Sequence, residues 1–584
     1  MIGRKSLITK KDEMNRLSSK VKLFLDLYDL LYKENTMLPS VTSNDSRYLT
    51  ADNTPLGRTP SPIRGQSTRI VVQDGGRGQC LTTPSLSPEN VFRKLSDETL
   101  STPTNHKKIN ASPTIENLEL FREKKVDEDL RLVSQKVVDL QVFINHLPKG
   151  GDTHCHLTGT VEIKEYLEFA VKDDLYFEEE TFTFFRKKDE NQYKSCQSAS
   201  VIYDNIHLQT RLKEKATLRG REHPENKSLA NEFFKTFSVF ESIERYMGLT
   251  DLLTPLLIAY SSQKDTLYVE VSKGCEFNLP NTKSENELEA DIKLYLRNFP
   301  ESDFFADKVE FKETLLTKLK IMNQMLSKKV KKYIDYINAA EQTPECLLKL
   351  GFQSSLFSLD NPVVVRLNVD INRELPLPEF FLDLALGFMI ADQELRSKNP
   401  RVLGIVISGI EHNFRSLKNK KAQHKMISFF AQIYPEVGIS LHAGELTESL
   451  VAEIDMKNAI SSAIKEASPK RIGHAVCLKH EEDVDKVVRK LLKNNICIET
   501  CLSSNENTLS ITNGHHPFKE YLSRNVAVTL NTDDAGVNGT SIRAEFLKAF
   551  ERYNLSYFDF KNLARNQIRY CFLKGDEIYK PGSY

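Results

Sequence analysis

Eight short runs of apolar and β-branched residues alternate with long amphipathic stretches over most of this 584-residue chain. One run ends at His156, and the others are Thr266–Val271, Pro362–Val369, Val402–Ser408, Gly438–His442, Arg471–Gly473, Ile496–Glu499 and Val526–Leu530. Strands that are separated by helices predict a parallel sheet, and eight of them predict a closed α/β barrel, the (β/α)8 or TIM barrel.

Residues that can bind a metal lie at the carboxyl ends of four of these runs. His154 and His156 end the first run, His442 ends the fifth, His474 follows in the sixth, and Asp533 comes after the eighth. In a barrel of this kind the active site is built at the carboxyl ends of the strands. Imidazole and carboxylate ligands suit a metal ion of intermediate softness. The pattern therefore predicts a metal site at the mouth of the barrel.

Each of these elements alone has a simpler explanation. A histidine pair in a strand is often structural, and two adjacent aspartates commonly form a turn or a helix cap. Successive side chains of a strand point to opposite faces, so His154 and His156 share the barrel interior and Cys155 packs outside it. The joint placement at strand ends favours the metal site. The remaining histidines lack this placement and are interpreted as surface or loop residues: His207, His223, His412, His424, His480, His515 and His516.

Composition excludes two classes of partner and indicates a compartment. Lysine plus arginine equals aspartate plus glutamate at 80 each, so no overall field attracts nucleic acid or an anionic membrane. The nine cysteines show no paired spacing, which fits a reducing compartment. Residues 1–30 contain charges in every apolar stretch and do not resemble a signal peptide. We expect a cytoplasmic protein with no membrane segment.

The first 112 residues differ in composition from the rest. Pro39–Pro113 is rich in Ser, Thr, Pro, Asn and Gly, which predicts a largely disordered tail, and the preceding Val21–Tyr32 has the spacing of one short helix. The Ser/Thr-Pro pairs in the tail resemble phosphorylation sites or docking motifs. The alternative is that the tail is a solvated segment without a specific role. Folded structure is predicted for 113–584, and it begins with a helix over Ile115–Ile144.

The motifs resemble those of the adenosine deaminase family, in the amidohydrolase superfamily of metal-dependent barrels. The segments that carry the resemblance are Pro148–Thr158, Ser408–Glu411, His442–Glu445, Arg471–Ala475, Cys501–Asn505 and Leu530–Asp534. The helix that leads into the first strand resembles the adenosine deaminase growth factor type. Hydrolases with a carbamylated lysine would need that lysine on the fourth strand, where this chain has Ile405-Val406-Ile407.

The resemblance implies a hydrolytic deaminase with one zinc ion per chain and a role for each motif residue. It implies zinc ligation by His154, His156, His442 and Asp533, and catalysis by Glu445, His474 and Asp534. Glu445, one helical turn beyond His442, would be kept protonated by burial so that it can donate to purine N1. His474 and Asp534 would orient the attacking water, and substrate would contact Gly409, Thr158 and His156.

The resemblance implies a small purine nucleoside or nucleotide as substrate, but the identity of this substrate stays open. Adenosine-specific members have an acidic residue where this chain has Thr158, so adenosine, AMP or an N6-substituted AMP, and 5′-modified adenosines are all compatible. A helical insertion is predicted at about 173–260, and its Phe233, Phe234, Phe237 and Phe240 are read as helix core or as a lid. The alternative function is a catalytically weak binding or signalling protein that acts through its tail. A homodimer is compatible with the sequence, and the tail's partners are not evident from it.

Overall fold

A computed structural model describes the barrel and most of its surrounding helices. The described residues are 144, 149–187, 189, 195–218, 229–262, 266–274, 290, 294, 326–335, 337–338, 363–397, 400–511 and 515–573. Four predicted features lie outside the described residues and stay predictions. They are the tail, the short helix in it, the domain boundary at 112/113 and nearly all of the helix Ile115–Ile144.

Eight parallel strands form one sheet, in the order β1-β5-β6-β7-β8-β9-β10-β11. Their bounds are β1 Gly150–His156, β5 Thr266–Gly274, β6 Val364–Asn372, β7 Val402–Ser408, β8 Gly438–Ala443, β9 Arg471–His474, β10 Cys497–Thr500 and β11 Val528–Leu530. The predicted strands are confirmed, with ends that differ by a few residues. The largest difference is at β6, which continues three residues beyond the predicted end at Val369.

The first and last strands of this sheet meet and close it into a barrel. The backbone N–H of His156 donates to the carbonyl of Asp533 at 3.0 Å, and the N–H of Asp533 donates to the carbonyl of His154 at 3.0 Å. This parallel bridge between Cys155 and Asp533 confirms the predicted (β/α)8 barrel. It also brings residues almost 400 positions apart in the chain into register.

Helices alternate with the barrel strands and bury apolar side chains. Their bounds are α1 Leu157–Thr160, α2 Ile163–Lys172, α3 Ser200–Tyr203, α4 Ile206–Ala216, α5 Ala230–Glu244, α6 Leu249–Ser262, α7 Leu377–Leu395, α8 Phe414–Ile433, α9 Glu453–Met456, α10 Ala459–Ser462, α11 Val484–Lys493, α12 Leu502–Leu509, α13 Phe518–Ser523, α14 Ala535–Asn538, α15 Ile542–Tyr553 and α16 Tyr557–Arg569. Residues 326–335 are also helical. No helix of the described part is long and apolar enough to cross a bilayer.

Local sequence explains why these helices begin and face as they do. In α11 the side chains of Val487, Val488 and Leu491 are buried while the lysines and Arg489 face outward, which is the spacing of an amphipathic helix. The Asp483 carboxylate caps this helix by accepting the N–H of Lys486 at 2.8 Å. Most outer helices therefore follow from residue patterns near them in the chain.

The predicted insertion contains strands as well as helices. Between α2 and α3 lies a three-stranded antiparallel sheet in the order β3-β2-β4, formed by β2 Tyr176–Glu178, β3 Phe184–Phe185 and β4 Cys196–Ser198. The description of this insertion as helical was therefore incomplete. Phe233 and Phe240 of α5 are buried in the core, as their first interpretation predicts.

The end of the barrel opposite the strand carboxyl termini is filled by an aromatic side chain from the C-terminal segment. Gly404 of β7 and Gly438 of β8 are paired in register. The ring of Phe572 lies against both of them and stacks on the Arg471 guanidinium at 3.6 Å. A β-carbon built at Gly438 would lie 2.2 Å from this ring. The closed floor leaves the mouth at the strand carboxyl ends for a ligand.

We predict that Gly438→Ala destabilises the protein by about 1–3 kcal/mol, because the added methyl group overlaps the Phe572 ring in a filled site. The free energy of unfolding from urea titration measures this change. Gly248→Ala is the matched control, since its β-carbon would meet nothing closer than Asp251 at 3.4 Å. A G438A protein as stable as the wild type would show that Phe572 does not pack as described.

Candidate active site

Four imidazoles converge at the mouth of the barrel. His154 and His156 come from β1, His442 from β8, and His474 from β9. The His154 ring is 4.6 Å from the His442 ring and 5.1 Å from the His474 ring, between centroids, and the last two rings are 4.7 Å apart. Asp533, which follows β11, lies against the β1 pair. The structure thus brings together the histidines and the aspartate that the sequence placed at strand ends.

Two carboxylates orient the β1 histidines. Glu499 Oε2 of β10 is 3.0 Å from His154 Nδ1, and Asp370 Oδ2 of β6 is 2.9 Å from His156 Nδ1. Each carboxylate accepts the Nδ1 hydrogen, so in the neutral form of each ring the lone pair is on Nε2. These Nε2 atoms lie 3.5 and 3.3 Å from the same oxygen of Asp533. Imidazoles held in this tautomer are prepared as metal ligands.

The sequence reasoning missed both of these carboxylates. Glu499 stands inside a predicted strand, and Asp370 follows the predicted end of another by one residue. An acidic residue within or next to a run of buried apolar residues is itself a signal, because an isolated buried charge is costly. That signal could have identified Glu499 from the sequence.

Unpaired buried nitrogens show that the residues fit a metal ion. Among the described residues, Nε2 of His154 and Nε2 of His442 are buried without a hydrogen-bond partner. Ligand atoms of His154, His156 and Asp533 lie within 4.8 Å of one another, and so do those of His154, His442 and His474. The cluster therefore offers enough nitrogen and oxygen atoms for one divalent ion, with more than one choice of histidines.

Burial and neighbouring charges shift the pKa values of the cluster residues, in several cases in opposite directions. Burial disfavours the charged form of His154, but the Glu499 and Asp533 carboxylates outweigh it and raise the pKa of His154 to about 9. Burial and the neighbouring imidazoles hold the pKa of His442 well below its usual value. Although burial acts in the other direction, the nearby imidazoles of His154, His156 and His474 keep the pKa of Asp533 well below its ordinary range. The site is arranged to keep one carboxylate charged beside a neutral imidazole.

Glu445 stands on the other side of the cluster, in the loop that follows β8. The backbone N–H groups of Gly444 and Glu445 donate to the Glu411 carboxylate at 3.1 and 2.8 Å, and this fixes the loop. Only 17% of the Glu445 side chain is exposed. Burial, with Asp533 and Glu411 nearby, raises the pKa of Glu445 to about 8. The carboxyl group is therefore protonated at neutral pH and can donate a proton.

Asp534 is more deeply buried than Glu445. Its Oδ1 is buried and has no hydrogen-bond partner within the described ranges. Burial and the adjacent Asp533 charge raise the pKa of Asp534 well above its usual value. A β-carbon at Gly159 of α1 would lie 1.9 Å from Asp534 Oδ1, so a glycine is required where α1 passes. The side chain is held next to the cluster with an oxygen available for another group.

Backbone strain coincides with these residues. His474 has φ +64° and Asp533 has φ +59°, in the left-handed region that residues with a side chain rarely adopt. Such conformations cost about 1–3 kcal/mol each and persist where the surrounding structure imposes them. Here the closing bridge and the strand end impose them, and they turn both side chains toward the cluster.

A cavity of about 1100 Å³ opens onto the cluster and includes the predicted substrate contacts. Gly409, with φ +93°, and Thr158 both line it, and so do Phe233, Phe234 and Phe237 of α5. The phenylalanines thus serve partly as core and partly as a wall of the cavity. An apolar wall opposite a polar cluster suits a flat heterocycle with polar edges.

Two of the histidines interpreted as surface or loop residues are buried, and that interpretation was wrong for them. His424 lies within α8, with its Nδ1 3.4 Å from Ser462 Oγ. His516 contacts Asn505, which in turn contacts His474. Both are buried by elements far away in the chain, which their local polar sequence does not reveal. His223 lies outside the described residues.

The fold and the cluster together define a class: a (β/α)8 barrel with a site for a metal ion at the carboxyl ends of its strands. Residues 390–580 match the family model described as adenosine deaminase. This match lies in the C-terminal part of the chain and agrees with the family that the motifs resemble. The closer likeness to the growth factor type stays a prediction.

Curated relatives match a shorter part of the chain. The adenosine deaminase of Enterococcus faecalis is 32% identical over 142 residues, which are 24% of this chain and 39% of that protein. The adenosine deaminase of Aliivibrio fischeri is 33% identical over 153 residues, 26% of this chain and 43% of that protein. The match thus spans about two fifths of the relatives' length.

Solved structures resemble a larger part of the chain at lower identity. The N6-mAMP deaminase of Arabidopsis has a TM-score of 0.43 and 19% identity, with 75% of this chain and 96% of that chain covered. The adenine deaminase of Arthrobacter aurescens has a TM-score of 0.41 and 15% identity, with 73% and 94% covered.

We predict that Asp370→Asn weakens binding of a divalent metal ion by about 10- to 100-fold, because the amide no longer fixes the His156 ring with Nε2 as a lone pair. Competition with a chromophoric chelator for Zn²⁺ measures the affinity. Asp392→Asn is the control, since Asp392 pairs with Arg396 on α7 outside the site. Equal affinity in D370N and wild type would mean that His156 is not a ligand.

Proposed function

We propose that the protein is a zinc-dependent aminohydrolase that deaminates the adenine ring of a purine nucleoside or nucleotide, giving the hypoxanthine product and ammonia. The observation that carries this proposal is the largely buried Glu445 carboxyl group, which lies 3.7 Å from His474 Nε2 in the cavity that His156, His442 and Asp533 also line. A metal site alone would fit many hydrolases. A proton donor opposite it suits attack on a ring carbon whose neighbouring nitrogen must gain a proton.

The ligands for zinc are His154, His156, His442 and Asp533. The first two present Nε2 lone pairs because their Nδ1 hydrogens are bonded to carboxylates, and the third has a buried Nε2 without a partner among the described residues. When bound, zinc would lower the pKa of a water molecule from about 15.7 toward about 7 and so supply a nucleophile at neutral pH.

Three side chains around the cluster transfer protons or stabilise charge during the reaction. Glu445 donates its proton to N1 of the ring as the water oxygen bonds to C6, so that negative charge does not accumulate on the ring. Asp534 accepts a proton from the attacking water, and His474 holds the developing oxyanion. The C6–N6 bond then breaks and ammonia leaves with the second water proton. The first water proton returns to Glu445, which restores the starting state.

Substrate binding rests on the cavity wall. Gly409 has no side chain, so its backbone can approach a planar ring closely. A β-carbon at this position would lie 2.6 Å from Asn372 Oδ1. The phenylalanines of α5 cover the opposite face. Thr158 is neutral and its hydroxyl can donate or accept, so adenosine, AMP, N6-substituted AMP and 5′-modified adenosines all remain candidates.

The direct test is turnover by the zinc-loaded full chain of adenosine, AMP, N6-methyl-AMP and 5′-methylthioadenosine. Loss of ultraviolet absorbance and release of ammonia, or of methylamine from the N6-methyl substrate, report the reaction. We expect turnover of at least one of the four. If none reacts while zinc is bound stoichiometrically, the proposal fails and the binding or signalling alternative gains support.

We predict that Glu445→Gln lowers kcat by about 10²- to 10⁴-fold, because the amide cannot transfer a proton to the ring. Zinc content and KM should change little, since size and ligands are retained. Glu448→Gln is the matched control, because Glu448 lies three residues on and is 69% exposed. Unchanged turnover in E445Q would refute the role of Glu445.

We also propose that the protein is cytoplasmic and acts in purine metabolism. Five cysteines of the described part are buried as thiols: Cys155, Cys477, Cys497, Cys501 and Cys571. Free thiols are typical of proteins in a reducing compartment. Fractionation of cells that express the full chain tests the location.

A further inference from the structure

A chain of hydrogen bonds runs from the backbone of α13 to His474. The backbone N–H of Phe518 lies 3.1 Å from His516 Nδ1, and His516 Nε2 lies 3.1 Å from Asn505 Oδ1. The amide nitrogen of Asn505, on α12, lies 3.0 Å from His474 Nδ1. His516, Asn505 and His474 are all buried. The chain connects three separate segments behind the active site.

The direction of these hydrogen bonds follows from the Phe518 backbone N–H, which can only donate. A backbone N–H has no lone pair, so His516 Nδ1 must accept from Phe518. Burial lowers the pKa of His516 to about 3, which leaves the ring neutral with a single hydrogen. That hydrogen is therefore on Nε2. It is donated to Asn505, whose oxygen must be the atom that faces His516.

The orientation of the Asn505 amide then fixes the next ring. With its oxygen toward His516, its NH₂ group donates to His474 Nδ1, which must accept. A neutral His474 consequently has its hydrogen on Nε2. This Nε2 points into the site, 3.7 Å from Glu445 Oε2.

The position of His474 is compatible with two roles, metal ligand or hydrogen-bond donor, and its tautomer decides between them. His474 stands close enough to His154 and His442 to join them around one ion. An Nε2 that carries hydrogen has no lone pair for a metal ion, and it can donate to an oxygen in the site. In contrast, His154 and His156 donate through Nδ1 and present bare Nε2 atoms. Nδ1 therefore accepts a hydrogen bond in His474 but donates one in His154 and His156. This difference makes His474 a hydrogen-bond donor in the site and leaves the other two as candidate metal ligands.

We propose that Asn505 and His516 are positioning residues that fix His474 as an Nε2–H donor and thereby exclude it from the metal ligands. The tautomer follows from the hydrogen bonds alone. Its catalytic use, as the group that holds the oxyanion, rests on the proposed deaminase function.

The sharpest variant is Asn505→Asp, which keeps the shape and replaces the NH₂ donor with an oxygen. The carboxylate accepts from His516 Nε2–H and from His474 Nδ1, so the His474 hydrogen moves to Nδ1. We expect kcat to fall by about 10²-fold or more, as when one oxyanion donor is lost, with KM changed by only a few-fold. Full kcat in N505D would overturn the proposal.

The second set of variants separates hydrogen bonding from packing. His516→Phe fills the space without a donor and should lower kcat by about tenfold or more, since the Asn505 amide is free to turn. His516→Gln places an N–H near the position of Nε2 and should recover most of that loss. His515→Phe is the control at the adjacent exposed histidine and should match the wild type. Equal loss in H516Q and H516F would mean that His516 only packs.

A readout without turnover keeps this proposal distinct from the proposed function. In the zinc-loaded full chain with ¹⁵N-labelled histidine, ring nitrogen shifts show which nitrogen bears hydrogen, and H474Q and H516Q assign the signals. We expect His474 to carry hydrogen on Nε2 in the wild type and on Nδ1 in N505D. A wild-type His474 with hydrogen on Nδ1 would overturn the proposal. Inactivity on all adenine substrates with the expected tautomer would overturn only the function.

Discussion

The backbone bridge between β1 and the segment after β11 is the constraint on which the rest of the site depends. Two hydrogen bonds of 3.0 Å each join Asp533 to His154 and His156. They close the barrel, and they also hold the Asp533 carboxylate against both imidazoles. Barrel closure and site assembly are therefore one event, because the strand that completes the ring carries the carboxylate. The left-handed backbone of Asp533 is held by this bridge.

A buried network of charges connects the floor of the barrel to its mouth. Arg471 contacts Glu270 at 2.7 Å and Glu499 at 2.5 Å, and Glu499 in turn orients His154. Burial alone would raise the pKa of Glu499, but the Arg471 cation and the hydrogen bonds that Glu499 accepts from His154 and Ser440 hold it at about 2. Loss of the cation would leave two carboxylates unpaired in the interior, which costs several kcal/mol. The same residues thus stabilise the barrel and orient the His154 ring.

Sequence reasoning reached the barrel and the residues that point into its mouth, because both depend on local patterns. Strand periodicity places His154 and His156 on one face, and barrel geometry gathers strand ends. It did not reach Asp370 or His516, since each acquires its role from a partner more than ten positions away. His516 is polar and lies among polar neighbours, and only its packing against Asn505 of α12 makes it part of the site. Long-range contacts of this kind leave no periodic trace in the sequence.

Anomalous diffraction at the zinc edge, from crystals of the full chain, tests the central claim most directly. The account predicts one strong peak about 2.0–2.2 Å from Nε2 of His154, His156 and His442 and from a carboxylate oxygen of Asp533, with His474 outside coordination distance. The absence of a peak at the barrel mouth after zinc loading, or a peak coordinated by His474 Nε2, would contradict it.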